Sequence, residues 1–296
     1  MTMNNEQESN LKMHTEAAKQ EIMNYYNDQF KTSRASATEN TLKTYADKKL
    51  TKATLVKWIQ EQIMPQQKQQ NTKIQKCKSE GKETHTDSDQ FRLMNQQIYT
   101  SDTSASFKKF CSKPELFVQY HQEYAQKIQN WKKKPFDVVC DLIVKHPSLQ
   151  RLADVGCGDA QIARKYGNQF EVVSFDMGSN ENNKDFVTIC NMTSLPVMYI
   201  EYFDVALYCL SIMGTNQRDI LNQARKVIRK GGQLWILEVS SRLKNKKVYI
   251  RGVESFGFKL LEFKEIGGYF FASIFEKEKF GKFEGVDKIL EPSICK

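Results

Sequence analysis

Asp154-Val155-Gly156-Cys157-Gly158-Asp159 constrains the fold of this chain more than any other stretch. An apolar run (Leu152, Ala153, Val155) leads into it, a helical pattern follows, and Asp176 closes the next apolar run. A strand feeding a Gly-x-Gly turn lets backbone approach a ligand, because no Cβ stands in the way. The helix that the turn opens points unpaired N–H groups at the same crevice. An acid about 20 residues later, at the tip of the second strand, accepts two ribose hydroxyls in dinucleotide-binding folds. The third glycine of that fingerprint is missing, with Gln161-Ile162-Ala163 in its place. The pattern therefore argues against a pyrophosphate and for an adenosyl ligand without phosphates. S-adenosyl-L-methionine is the commonest such molecule.

The texture of the chain after Pro147 agrees. Strand-like apolar runs fall at 151–155, 171–176, 186–190, 203–210, 233–239, 258–263 and 269–275, and helical patterns at 217–229 and 246–256 separate later ones. Such alternation predicts a mostly parallel sheet covered on both faces. Lys230-Gly231-Gly232-Gln233-Leu234 is read as the turn into the fifth strand, and Gly267-Gly268 as the turn of a terminal antiparallel hairpin. The expected fold is thus α/β: a seven-stranded, Rossmann-like sheet of the class I methyltransferase type, preceded by helical segments. Residues 1–65 read as helical (Leu42, Tyr45, Leu50, Leu55, Trp58, Ile59, Ile63), and Pro65 stops the last run. Residues 66–88, rich in Gln, Lys and Thr, read as a disordered linker. The expected methyltransferase domain is 89–296, with an aromatic-rich helical cap over 89–146 and the Rossmann-like core over 147–278.

Composition narrows the partners less sharply. The net charge of +9 suits a polyanion such as RNA, and equally a lysine-rich soluble protein. Residues 1–88 carry 14 basic and 11 acidic side chains and the rest 30 and 24, so no basic arm stands out. Seven cysteines without a C-x-x-C pair speak for a reducing compartment, against a disulfide framework and against a zinc site. The polar N-terminus carries no secretory signal, and no run reaches the ~18 apolar residues of a membrane span. A soluble intracellular protein with no membrane partner is expected.

Several residues are candidates for the chemistry. Cys190-Asn191-Met192 ends the third strand, where this fold places a polar contact to an adenine ring (Asn191) and an apolar one against its face; a plain turn reads as well. Cys209 ends the fourth strand at the crevice, facing the methionine moiety or filling a small apolar gap. The acidic-or-Asn, Pro, Pro, aromatic tetrad of exocyclic-amine methyltransferases is absent, since no proline lies between Pro196 and Pro292. Phe117, Tyr120, His121 and Tyr124 share one helix face. Pattern alone favours packing there over a lid on the ligand.

Longer motifs carry a resemblance. Phe91-Arg92-Leu93-Met94-Asn95-Gln96-Gln97-Ile98-Tyr99-Thr100, Phe117-Val118-Gln119-Tyr120-His121, the glycine turn, Cys209-Leu210-Ser211-Ile212-Met213-Gly214-Thr215-Asn216 and Glu238-Val239-Ser240-Ser241-Arg242 resemble the ribosomal RNA-processing protein 8 family of methyltransferases, in order, across roughly residues 89–278. The resemblance implies a nuclear, nucleolar enzyme of ribosome biogenesis. It would use S-adenosyl-L-methionine to form N1-methyladenine in large-subunit ribosomal RNA. Its partner would be ribosomal RNA or a pre-ribosome. Cofactor contacts carried over are His121, Gly156, Asp176, Met192 and Cys209, and the family usually has Asp where this chain has Asn191. A catalytically weak binding subunit of a nuclear RNA or chromatin complex is the alternative, favoured by that lost charge. Adenine N1 carries a lone pair and no proton, so no general base is obligatory. Glu238 or Asp159 is a candidate helper, and aromatics around Tyr208 or Phe270 are candidates to stack on an unpaired target base.

Overall fold

The computed structural model describes residues 87–278 and 284–293. The helical segment expected over 1–65 and nearly all of the linker expected over 66–88 lie outside them. Four helices come first: α1 (Asp87–Thr100), α2 (Thr103–Ser112), α3 (Pro114–Gln129) and α4 (Pro135–Val144). Their boundaries follow from local chemistry. The Asp102 carboxylate caps α2 by accepting from the Ala105 N–H at 2.7 Å. Pro114 and Pro135 occupy first-turn positions of α3 and α4, where a missing N–H costs nothing.

Strands and helices then alternate: β1 (Arg151–Val155), α5 (Gln161–Tyr166), β2 (Glu171–Asp176), β3 (Val187–Ile189), β4 (Phe203–Cys209), α6 (Gln217–Val227), β5 (Ile228–Val239), α7 (Lys246–Glu254), β6 (Phe258–Ile266) and β7 (Phe270–Lys277). They form one seven-stranded sheet in the order β3-β2-β1-β4-β5-β7-β6. Pairing is parallel from β3 to β5, and β7 runs antiparallel to both neighbours. This is the sheet expected from the sequence. One detail differs: β5 pairs with β4 already at Ile228, opposite Phe203, and pairing resumes at Val205 with Gln233. The glycine-bearing Arg229–Gly232 stretch therefore bulges out between two paired segments of one strand.

Alternate side chains fill two cores, because successive residues of a strand point to opposite faces. Ala206 and Tyr208 of β4, Leu234 and Ile236 of β5 and Phe271 and Phe275 of β7 pack with α6 and α7. On the other face, Val205 and Leu207, Trp235 and Leu237, and Ala272 and Ile274 pack with α4 and α5. Both faces are buried, which is why the central strands read as unbroken apolar runs. A third cluster, Ile98, Phe110 and Phe117, joins α1, α2 and α3 to Met177 after β2 and Met213 after β4. Helices α1, α2 and α3 thus lie across the C-terminal ends of the strands, whereas α4, placed with the cap in the sequence, packs on a face of the sheet.

Candidate functional site

The strand order reverses between β1 and β4, and in open α/β sheets that switch point opens the crevice used by ligands. Gly156 and Cys157 both donate to the Phe175 carbonyl, at 2.8 and 3.1 Å, which ties the glycine turn to the tip of β2. Gly156 sits at φ +77, and a Cβ there would come within 2.3 Å of the Ser211 Cβ. Only glycine fits. Ser211 Oγ donates to the Val155 carbonyl at 2.6 Å, locking the loop after β4 onto the end of β1.

Asp176 fastens the turn from the other side. One carboxylate oxygen accepts from the Gly158 N–H and the other from the Met177 N–H, each at 2.7 Å. The residue is 8% exposed. Burial pushes its carboxyl above the ordinary range, while neighbouring His121 and the two N–H groups pull the other way. Each oxygen keeps a further lone pair beyond these bonds. His121, on α3, donates from Nδ1 to the Phe117 carbonyl (3.0 Å), and its opposite ring edge packs over Gly158.

The cap and the strand tips enclose a cavity lined by His121, Gly156, Asp176, Met192 and Cys209, five of the six positions singled out in the sequence. Phe117, Tyr120 and Tyr124 line it too, so the aromatic face of α3 is both core and roof. Asn191 is not among the lining residues. Its amide donates to Ser104 Oγ of α2 at 3.0 Å, and its carbonyl accepts from the Thr193 N–H (3.1 Å) and hydroxyl (3.0 Å). The side chain holds the turn after β3 against the cap.

Other expectations need correction. Glu238 is fully buried, is not among the cavity's lining residues, and lies 2.7 Å from the Arg242 guanidinium. Tyr208 is fully buried and Phe270 is 2% exposed against Trp131 (ring centroids 5.3 Å), so neither ring itself is open to a base, whereas Tyr269 beside Phe270 is exposed. The helix opened by the glycine turn is only six residues long, too short to add much dipole to the site. Asp159 does line the cavity, accepting from Asn180 Nδ2 at 3.3 Å.

Asp154, passed over in the sequence, lines the cavity at the end of β1. Burial, reinforced by the Asp176 charge, pushes its carboxyl up to about 7. Its position as the acid opening the glycine motif was the available signal. The thiols of Cys157, Cys190 and Cys209 are all pushed up by burial, which favours their neutral form. Among the described residues no group of three or more His, Cys, Asp or Glu could hold a metal ion, and no helix is long and apolar enough to cross a membrane.

Comparison with known proteins follows the same lines. Residues 77–296 match the family described as "Hypothetical methyltransferase". The chain is 34% identical over 193 residues to ribosomal RNA-processing protein 8 of Dictyostelium discoideum, covering 65% of this chain and 48% of that protein. It is 36% identical over 191 residues to the Mus musculus protein of the same name, covering 64% and 40%. It is 31% identical over 222 residues to the 25S rRNA (adenine(645)-N(1))-methyltransferase of Schizosaccharomyces pombe, covering 70% and 68%. The chain spans about half or less of the length of the first two relatives. On the match to more than half of its residues and on these identities, the chain belongs to the ribosomal RNA-processing protein 8 family of methyltransferases.

Proposed function

We propose that this protein is an S-adenosyl-L-methionine-dependent methyltransferase that modifies N1 of an adenine in large-subunit ribosomal RNA, acting on pre-ribosomes in the nucleus or nucleolus. The observation that carries the cofactor assignment is the buried Asp176 carboxylate, tied to the glycine turn by the Gly158 N–H, held on its other oxygen by the Met177 N–H, and lining the cavity. A carboxylate so placed suits two ribose hydroxyls. The substrate assignment draws on the names carried by the relatives and on the positive charge of the chain. Nothing comparable supports a chromatin partner.

The residues present fit the cofactor. Asp176 would hold the ribose, Met192 the adenine face, and Asp154 the ammonium of the methionine part, with Gly156 allowing close backbone approach. When bound, S-adenosyl-L-methionine supplies an electrophilic methyl group on a sulfonium. The chain supplies grip and alignment. His121, Tyr120 and Tyr124 close the roof and exclude water. Cys209 contributes a neutral, apolar thiol wall. Because adenine N1 has a free lone pair at neutral pH, no side chain has to remove a proton before transfer. The target base must be unpaired to present its Watson–Crick edge.

Mapping of N1-methyladenine in ribosomal RNA by reverse-transcription misincorporation tests this. Cells lacking the protein should lose one misincorporation site, restored by the intact chain and not by an Asp176→Asn variant. An unchanged profile would remove the ribosomal RNA assignment.

A further inference from the structure

Tyr269 is 70% exposed, although its neighbours Phe270 and Phe271 are buried. It stands on the turn between β6 and β7, where Gly267 (φ +59) and Gly268 (φ +74) take conformations closed to most side chains. Its carbonyl accepts from the Ser240 N–H at 2.8 Å, which fixes the turn at the C-terminal end of β5. This is the edge of the sheet that holds the cavity. A relay of rings joins the two places: Tyr124, on the cavity wall, lies edge-on to Trp131 (centroids 6.3 Å), and Trp131 packs on Phe270.

Two lysine groups stand at helix starts on the same edge of the sheet as this turn. Lys132, Lys133 and Lys134 follow Trp131 directly and precede α4; all three are exposed. Lys244, Lys246 and Lys247 follow the Ser240–Arg242 turn and enter α7, and they are exposed as well. A helix leading into a parallel strand and a helix leading out of one both begin at the strand tips, so α4 and α7 bring their N-terminal lysines to the same edge from opposite faces. Acidic groups thin the charge without cancelling it. Lys133 pairs with Asp141 at 3.3 Å, and Glu265 is exposed next to the turn. Glu291 is occupied by Lys288, and Lys246 Nζ rests 4.1 Å above the Phe263 ring.

We propose that the Tyr269 turn with its two lysine groups is the landing surface for single-stranded substrate RNA. The lysines hold phosphates on either side of the cavity mouth, and Tyr269 stacks on a base beside the target adenine. Exposed aromatics between cations are what unpaired nucleic acid selects, because every base has a stacking face and every nucleotide a charge. This inference rests on the RNA substrate reading and assigns it a surface.

The test measures binding of an unstructured adenine-rich oligoribonucleotide and, separately, of S-adenosylhomocysteine to the intact chain. Tyr269→Ala should weaken RNA binding roughly tenfold, and Tyr269→Phe should restore it. Lys132→Gln with Lys244→Gln and Lys247→Gln should lower the slope of log affinity against log salt by about 2, at ~0.7 per phosphate contact on a single strand. Affinity for S-adenosylhomocysteine should not change in any of them, since these side chains lie outside the cavity lining. RNA binding by the parent that all these variants retain would overturn the landing surface and leave the substrate reading standing. No RNA binding by the parent would overturn both.

Discussion

The Glu238–Arg242 pair offers the sharpest energetic test of how the site is held. Both side chains are fully buried and meet at 2.7 Å. Arg242 also donates to the Glu291 carbonyl at 2.7 Å and to the Ile212 carbonyl at 2.6 Å, and its guanidinium lies 4.9 Å over the Tyr99 ring. One side chain therefore joins the end of β5, the loop after β4 that walls the cavity, the C-terminal segment and α1. Arg242→Met removes the counter-charge and strands Glu238, whose carboxyl burial already pushes upward. Stranding a buried charge costs about 3–5 kcal/mol. At ~2–4 °C per kcal/mol for a domain of this size, melting should fall by roughly 6–20 °C. Adding Glu238→Gln should recover part of the loss, because no uncompensated charge remains. The single variant should also carry a pH signature. With the folded pKa of Glu238 raised above its unfolded value, the folded state holds more protons, so stability falls as pH rises between the two. Denaturant melts at several pH values provide the assay. A single variant within ~1 kcal/mol of the parent, or a double variant no better than the single, would refute this role.

Two further outcomes follow from the cavity and its rim. Asp154 ionises in the free protein near 7 and should face a cationic ammonium in the complex, so affinity for S-adenosylhomocysteine should drop about tenfold from pH 8 to pH 6; calorimetry should show a flat profile for Asp154→Asn, and an equally steep one would exclude Asp154. Asn191→Ala loses bonds to Ser104 and Thr193 and should cost about 1 kcal/mol of stability while cofactor affinity stays within about twofold. A tenfold loss of affinity would mean that Asn191 reaches the adenine after all.

Much of this architecture was legible in the chain because its signals are local. The apolar runs at 151–155 and 171–176 became β1 and β2 with the same limits, β1 buried over its last four residues and β2 over its last three. Asp176 was legible for the same reason: a strand tip followed by a turn needs few residues to specify it. What stayed hidden depends on partners far away in sequence. Asn191 reads as an adenine contact in the sequence, but the bond of its amide to Ser104, 87 residues earlier, is not legible there. Glu238 looked like a helper acid, but it pairs with Arg242 and is not among the cavity's lining residues. Phe270 and Tyr269 differ by one position, but Tyr269 stands on the exposed turn while Phe270 opens β7, whose side chains are covered on both faces. His121 was ambiguous because pattern could not distinguish a core face from a roof; on α3 the one face serves as both.

Titration of S-adenosylhomocysteine into the intact chain and into Asp176→Asn, with melting curves to confirm that both are folded, bears most directly on the cofactor assignment. Saturable binding by the parent, weakened about tenfold or more when the ribose-holding charge is lost, is the expected result. No binding by the parent, or equal affinity in the two proteins, would contradict it.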